Sequence, residues 1–251
     1  MTSIDEAAKK GPNGVHALFL KGSNFGSLLP NKFAGGNPQA WLDDEIVNTY
    51  LKLLAEREQK LAGWTKASGR GPPVQAIVSQ WYQNVKGKNK AKIDEDKPAF
   101  NPKEFDGVKK WHARAGLGGK RILDTKVILI PICEGNHWRL LAIKPEVREI
   151  ELLDSLNPAK RAYEQYVHLA RRFLEFELGA LYVAEEWKVV PNRSGHQANA
   201  RDCGVFTVFN ALALVKGVVP ANKVTPALML PARLQLAGTL LSGGFKGEFE
   251  Y

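Results

Sequence analysis

The sequence predicts an α+β domain, with a central mixed or antiparallel sheet and helices before and after it in the chain. Three observations carry this. Residues 127–153 contain three consecutive strand-like runs, Val127-Ile-Leu-Ile-Pro-Ile132, Trp138-Arg-Leu-Leu-Ala-Ile143 and Glu149-Ile-Glu-Leu-Leu153, separated by turn residues. Apolar stripes at helical spacing lie on both sides of that block. Beyond residue 40 no internal repeat and no linker-like stretch divides the chain, so residues 41–251 read as one domain and residues 1–40 as a partly ordered N-terminal extension.

The extension is rich in Gly, Asn, Pro and Lys and reads as mostly extended, with Val15–Leu20 as a short strand. From Trp41, the residues Leu42, Ile46, Tyr50, Leu53, Leu54 and Leu61 form the stripe of a long amphipathic helix, with Asp43, Asp44 and Glu45 in its first turn. Asp43 and Asp44 fit helix capping, and equally a docking point for a basic partner. Pro72 and Pro73 are suited to opening a short helix carrying Ile77, Val78, Trp81 and Tyr82. Lys86–Lys92 reads as a solvated basic loop. Phe105, Val108, Trp111 and His112 suggest another short helix, with His112 as a surface or edge histidine lacking an acidic neighbour. After the three strands, Tyr163, Tyr166, Leu169, Phe173 and Phe176 mark a helix over Ala159–Leu178, and Trp187–Val190 a short strand. A buried helix follows from Cys203 to Lys216, and a last one over Val224–Leu241, in which Pro231 implies a break or kink.

Composition narrows the function classes. The net charge of +9 suits nucleic acid, membrane headgroups or an acidic protein, but no zinc-finger spacing, GxGxxG or GxxxxGK[ST] loop accompanies it. No nucleic acid is therefore required. No apolar run reaches the length of a membrane-spanning helix, and no signal-peptide pattern opens the chain. The 2 cysteines make no disulfide framework and favour a reducing, intracellular compartment. A metal site is disfavoured by the lack of CxxC, HxxxH or HExxH, and no cofactor motif is present.

The chemistry-bearing stretch is Gln197–Asn210. Its polar first half ends at Cys203, where a helix begins, so the free N–H groups and dipole of the first turn favour a thiolate. Cys203 is a nucleophile or a small buried hydrophobe. A nucleophile needs a base, an orienting acid and oxyanion donors. Among the histidines, His137 stands at the start of a strand and Asp154 at the end of the next, and antiparallel pairing makes such residues neighbours. Gln197, six positions before Cys203, can donate its amide N–H to an oxyanion. His196 competes as base but has no evident acid partner.

These residues carry a resemblance. His137-Trp138, Leu153-Asp154-Ser155-Leu156, Gln197 with Asp202-Cys203-Gly204, and Trp41-Leu-Asp-Asp-Glu-Ile-Val-Asn48 resemble, in order, the motifs of the Ulp1/SENP family of ubiquitin-like-protein-specific cysteine proteases, and Val108-Lys-Lys-Trp111 resembles its helix before the first core strand. The likeness runs from Trp41 to Phe245; residues 62–103 and 192–196 depart from it. It implies a papain-like fold, with Cys203 as nucleophile, His137 as base, Asp154 as its orienter and Gln197 as oxyanion donor. It further implies a monomeric enzyme without cofactor, active on a ubiquitin-like protein, SUMO first, by precursor processing or isopeptide deconjugation in the nucleus or cytoplasm (of a host cell, for a secreted effector). Trp41 and Trp138 correspond to two tryptophans closing a tunnel that admits a Gly-Gly tail, since glycine has no side chain to obstruct it. Asp44 corresponds to an acid that pairs with an arginine of the partner. Alternatives on the same scaffold are action on NEDD8 or ubiquitin, acetyl transfer, and non-catalytic binding of a ubiquitin-like protein.

Overall fold

The computed structural model describes residues 4, 20–29, 31–32, 41–88, 103–157 and 160–250. Among these residues five strands form one sheet in the order β1-β2-β3-β4-β5: β1 Val74–Ala76, β2 Val127–Glu134, β3 His137–Lys144, β4 Glu149–Leu153 and β5 Lys188–Val190. The central β2-β3-β4 meander is antiparallel, and the two three-residue edge strands pair parallel to it, β1 with β2 and β5 with β4. The sheet is therefore mixed.

Both faces are covered, which is why the central strands are apolar at successive positions rather than alternate ones. Val127 and Leu129 of β2 with Trp138, Leu140 and Ala142 of β3 pack towards four helices: α1 Gly22–Leu28, α2 Asp44–Leu61, α6 Cys203–Val215 and α7 Met229–Leu241. Ile128, Ile130 and Ile132 with Leu141, Ile143, Ile150 and Leu152 pack on the other face with α3 Gln80–Lys88 and α5 Lys160–Leu178, beside α4 Lys109–Arg114. The helix α6 is buried almost all round, as expected of one apolar on every side. Pro131 is tolerated in a central strand because Leu129 O accepts from Ile77 N–H on the β1 side. The nitrogen of Pro131, two residues on, faces that same side beyond the end of β1.

Several sequence expectations are corrected. Val74–Ala76 is a strand and the helix after Pro72-Pro73 begins only at Gln80, because the parallel pairing with β2 is a long-range contact that local propensity does not contain. Lys86 is helical, in α3, and pairs with Glu134; Lys88 closes that helix, and residues 89–92 of the basic run lie outside the described residues. Within the extension, Gly22–Leu28 is a helix whose Phe25 and Leu28 are buried against α2 and α7, whereas the strand expected at Val15–Leu20 lies, except for Leu20, outside the described residues. Pro231 does not break α7: the helix starts at Met229 rather than Val224, so the proline falls in the first turn, where its missing N–H has no partner to lose. Asp43 is the capping residue of α2, its Oδ1 accepting from Ile46 N–H at 2.9 Å.

The largest correction concerns His112. It is 1 % exposed, between Trp81 of α3, whose Nε1–H donates to Nε2 at 2.7 Å, and Glu177 of α5, 2.6 Å from Nδ1. The acid is 65 residues away in sequence and invisible to local reading. Replacing His112 with Ala leaves the indole N–H unpaired in the core and takes from Glu177 its 2.6 Å partner, with the Gly119 N–H contact at 3.4 Å remaining. The expected loss is roughly 2–4 kcal/mol of stability, read as a lower urea midpoint.

Candidate active site

His137 is placed by a two-residue turn. Glu134 and His137 are cross-strand partners, and the intervening Gly135 and Asn136 have φ of 60° and 59°, the positive pair that a tight I′ hairpin requires. Glu134 is itself clamped: Tyr82 Oη donates at 2.9 Å, Tyr166 Oη at 2.5 Å, and Lys86 forms an ion pair with it. The imidazole therefore leaves a pinned turn. The β3–β4 register, with Leu140 opposite Leu153, carries Asp154 alongside, and His137 Nε2 lies 2.7 Å from Asp154 Oδ1.

Cys203 is the first residue of α6 and 2 % exposed. It hydrogen-bonds the His137 ring, whose Nδ1 is free of Asp154, and the backbone N–H groups of Trp138 and Gly204 point at its sulfur. The helix closely approaches the segment leading into α2 here, since a Cβ on Gly204 would fall 2.9 Å from Leu42 Cβ. Two indoles fasten the same contact. Trp138 Nε1–H donates to Leu42 O at 2.9 Å, and Trp41 Nε1–H to Ala200 O at 2.8 Å in the loop before Cys203. Trp138 is buried and Trp41 half-buried.

Burial disfavours charge on all three central groups, and their contacts outweigh it. At His137 the hydrogen bonds to Asp154 and Cys203 push the pKa up to about 9. At Cys203 burial favours the thiol, but His137 and the two backbone N–H groups hold the pKa below the usual thiol value. Burial likewise opposes ionisation of Asp154, yet His137, Leu156 N–H and Arg139 keep it below the usual carboxylate value. These shifts favour a thiolate–imidazolium pair oriented by a carboxylate. Cys133 contrasts with this, because burial and the nearby Cys203 and Asp44 raise its pKa. Both cysteines are free thiols.

Gln197 is tied to the same corner. Its backbone N–H donates to Ser155 O at 3.0 Å and its Oε1 accepts from Ser155 Oγ at 2.6 Å, which makes the amide nitrogen the outward donor; one of its hydrogens reaches Asn199 O. Asp44 is half-buried and accepts from Gln80 Nε2 at 2.5 Å. His196 is exposed. Among the described residues no metal-ligating cluster forms, and no helix is long and apolar enough to cross a membrane.

Sequence reading missed three supports. Asn192 brackets the backbone of Asp154, accepting its N–H at 3.2 Å and donating to its C=O at 2.8 Å. Arg233 of α7 bonds Asp202 Oδ1 at 2.8 Å, neutralising the carboxylate next to Cys203. Arg139 donates to Asp154 Oδ2 at 2.7 Å. Only the last had a readable signal, its place two residues after His137 on one strand.

Residues 40–236 match the family model described as the Ulp1 protease family, C-terminal catalytic domain. The chain belongs to the Ulp1 protease family. Among its relatives, the ubiquitin-like-specific protease ESD4 of Arabidopsis thaliana is 32% identical over 174 residues, covering 67% of this chain and 31% of the relative. Human sentrin-specific protease 2 is 24% identical over 174 residues, covering 66% and 24%. The chain thus spans about a third or less of these curated relatives. In structure it resembles the Ulp1-like SUMO protease catalytic domain of Chaetomium thermophilum (TM-score 0.70, 31% identity, 84% of this chain and 76% of that one). It also shares the fold of the yeast Ulp1 protease domain solved in complex with Smt3, the yeast SUMO (TM-score 0.68, 18% identity, 98% and 97%).

The charge pattern of this family site has a direct readout. At neutral pH iodoacetamide should modify Cys203 ahead of Cys133, and His137→Ala should abolish that lead, as measured by mass spectrometry of the two cysteine peptides.

Proposed function

We propose that this chain is a cysteine peptidase that cleaves after the C-terminal Gly-Gly of a ubiquitin-like protein, SUMO first, in precursors or isopeptide conjugates. The observation that carries the proposal is the hydrogen-bonded line Asp154–His137–Cys203 with its lowered thiol and raised imidazole pKa. The names of the relatives, a ubiquitin-like-specific and a sentrin-specific protease, support the substrate class.

Cys203 thiolate attacks the carbonyl carbon of the last glycine, and the carbonyl π electrons move onto oxygen. The backbone N–H of Cys203 and the amide of Gln197 hold that oxyanion. His137, as imidazolium, protonates the leaving amine when the C–N bond breaks, which leaves a thioester. The neutral imidazole then takes a proton from water, hydroxide adds to the thioester, and the thiolate departs with the imidazolium restored. Asp154 keeps the ring turned so that Nδ1 serves the sulfur. In this reading Trp41 and Trp138, whose indoles hydrogen-bond Ala200 O and Leu42 O beside Cys203, close over the tail, which favours residues without side chains. Asp44 pairs with an arginine of the partner, and the +9 charge suits an acidic face.

Cys203→Ala should abolish cleavage of a SUMO C-terminal fusion while binding persists, and turnover by that variant would refute the nucleophile. Gln197→Ala should lower kcat by roughly 10²–10³ with little change in KM; an unchanged kcat would exclude it as oxyanion donor. The pH profile of kcat/KM should be a bell. Activity appears as Cys203 ionises, at a pH below the usual thiol value, and disappears near pH 9 as His137 loses the proton it must donate.

A further inference from the structure

His137 and Arg139 lie two residues apart on β3, so their side chains leave one face of the strand, and both meet the same carboxylate. His137 Nε2 is 2.7 Å from Asp154 Oδ1 and Arg139 Nε donates to Oδ2 at 2.7 Å, while Leu156 N–H donates to Oδ1 at 2.8 Å. An aspartate held at one oxygen still has a broad torsion about its last bond, whereas donors on both oxygens fix the carboxylate plane.

The guanidinium is in turn located by α5. It sits over the Tyr166 ring, 5.4 Å from the centroid, and Tyr166 is anchored to Glu134 at the His137 turn. Its Nη1 is buried with no hydrogen-bond partner among the described residues. A structural arginine spreads its five donors over several acceptors. Here the group is placed for Asp154 at the expense of its own satisfaction.

We infer that Arg139 is a positioning residue for the proposed hydrolysis, locking the Asp154 carboxylate in plane and sharing its negative charge with His137. The charged and titratable groups around the pair define the electrostatic effect. His137 faces Asp154 at the end of β4, Cys203 on α6 and Arg139 on its own strand. Arg139 faces Asp154, Tyr166 on α5 with Glu134 behind it, and Cys133 on β2. Asp154 draws a proton to the imidazole and Arg139 opposes a second positive charge beside it. The residue thus trades some imidazolium stability for a fixed carboxylate.

This inference rests on the proposed reaction, and its test separates the two. The variants are Arg139→Ala, Arg139→Lys, and Arg139→Gln, which keeps a longer polar side chain in the buried site should the alanine variant fail to fold. With a SUMO C-terminal aminocoumarin amide, Arg139→Ala and Arg139→Gln should lower kcat roughly tenfold or more and move the alkaline limb of kcat/KM to higher pH. Arg139→Lys keeps the charge without the planar fork, so its limb should return towards wild type while kcat recovers only in part. Nitrogen NMR of the His137 ring in the substrate-free full chain reads the same upward move without turnover. If the amide is not cleaved by wild type, the substrate assignment fails and the ring titration still judges Arg139. A His137 titration unmoved in both charge-removing variants overturns the inference, as does an unchanged kcat on a cleaved substrate.

Discussion

A buried carboxylate is the constraint on which this site depends. Asp154 is 1 % exposed, and an ion so placed is tolerated only when its oxygens are paired. The pairing is drawn from separate pieces of chain: His137 and Arg139 of β3 and Leu156 of the following loop hold the side chain, and Asn192 of the loop before α6 holds the backbone. Meeting this one electrostatic demand joins the end of the sheet to the segment that leads into Cys203. Ser155, the next residue, extends the join by gripping Gln197 through both backbone and side chain.

The remaining supports act on the two sides of that corner. On one face, the segment leading into α2 touches α6 through Leu42 and Gly204, where nothing larger than glycine fits without displacement, and two indole N–H groups reach carbonyls across the contact. On the other, α3 and α5 send Tyr82 and Tyr166 to Glu134, so the hairpin turn before His137 is held from outside the sheet. The imidazole and the sulfur thus meet across the boundary between two hydrophobic cores. Neither core alone determines their separation.

What was legible in the sequence follows from which contacts are local. The meander could be read because its strands are apolar on both faces and joined by short turns, and antiparallel pairing then made His137 and Asp154 neighbours by geometry alone. The start of α6 at Cys203 could be read from the change from polar loop to apolar period. The strand β1 could not, since three residues gain their identity from Val127–Leu129, more than fifty positions away. His112 looked like a surface residue for the same reason, its acid belonging to a distant helix. Asn192 and Arg233 offer no pattern at all, because a side chain that serves another segment's backbone or carboxylate leaves no periodic trace. Arg139 was written in plain view, and the strand period that placed His137 also placed it.

The two short edge strands have a consequence for recognition. A sheet that ends in long unpaired strands invites an extended peptide to join it by main-chain hydrogen bonding, a sequence-tolerant and adhesive mode of association. Among the described residues either margin offers at most three residues of ladder, and Val190 O at one of them is already taken by the Tyr163 hydroxyl. A flexible peptide gains little by lengthening this sheet, so in the proposed reaction discrimination of the tail falls to the side chains and loop that surround Cys203.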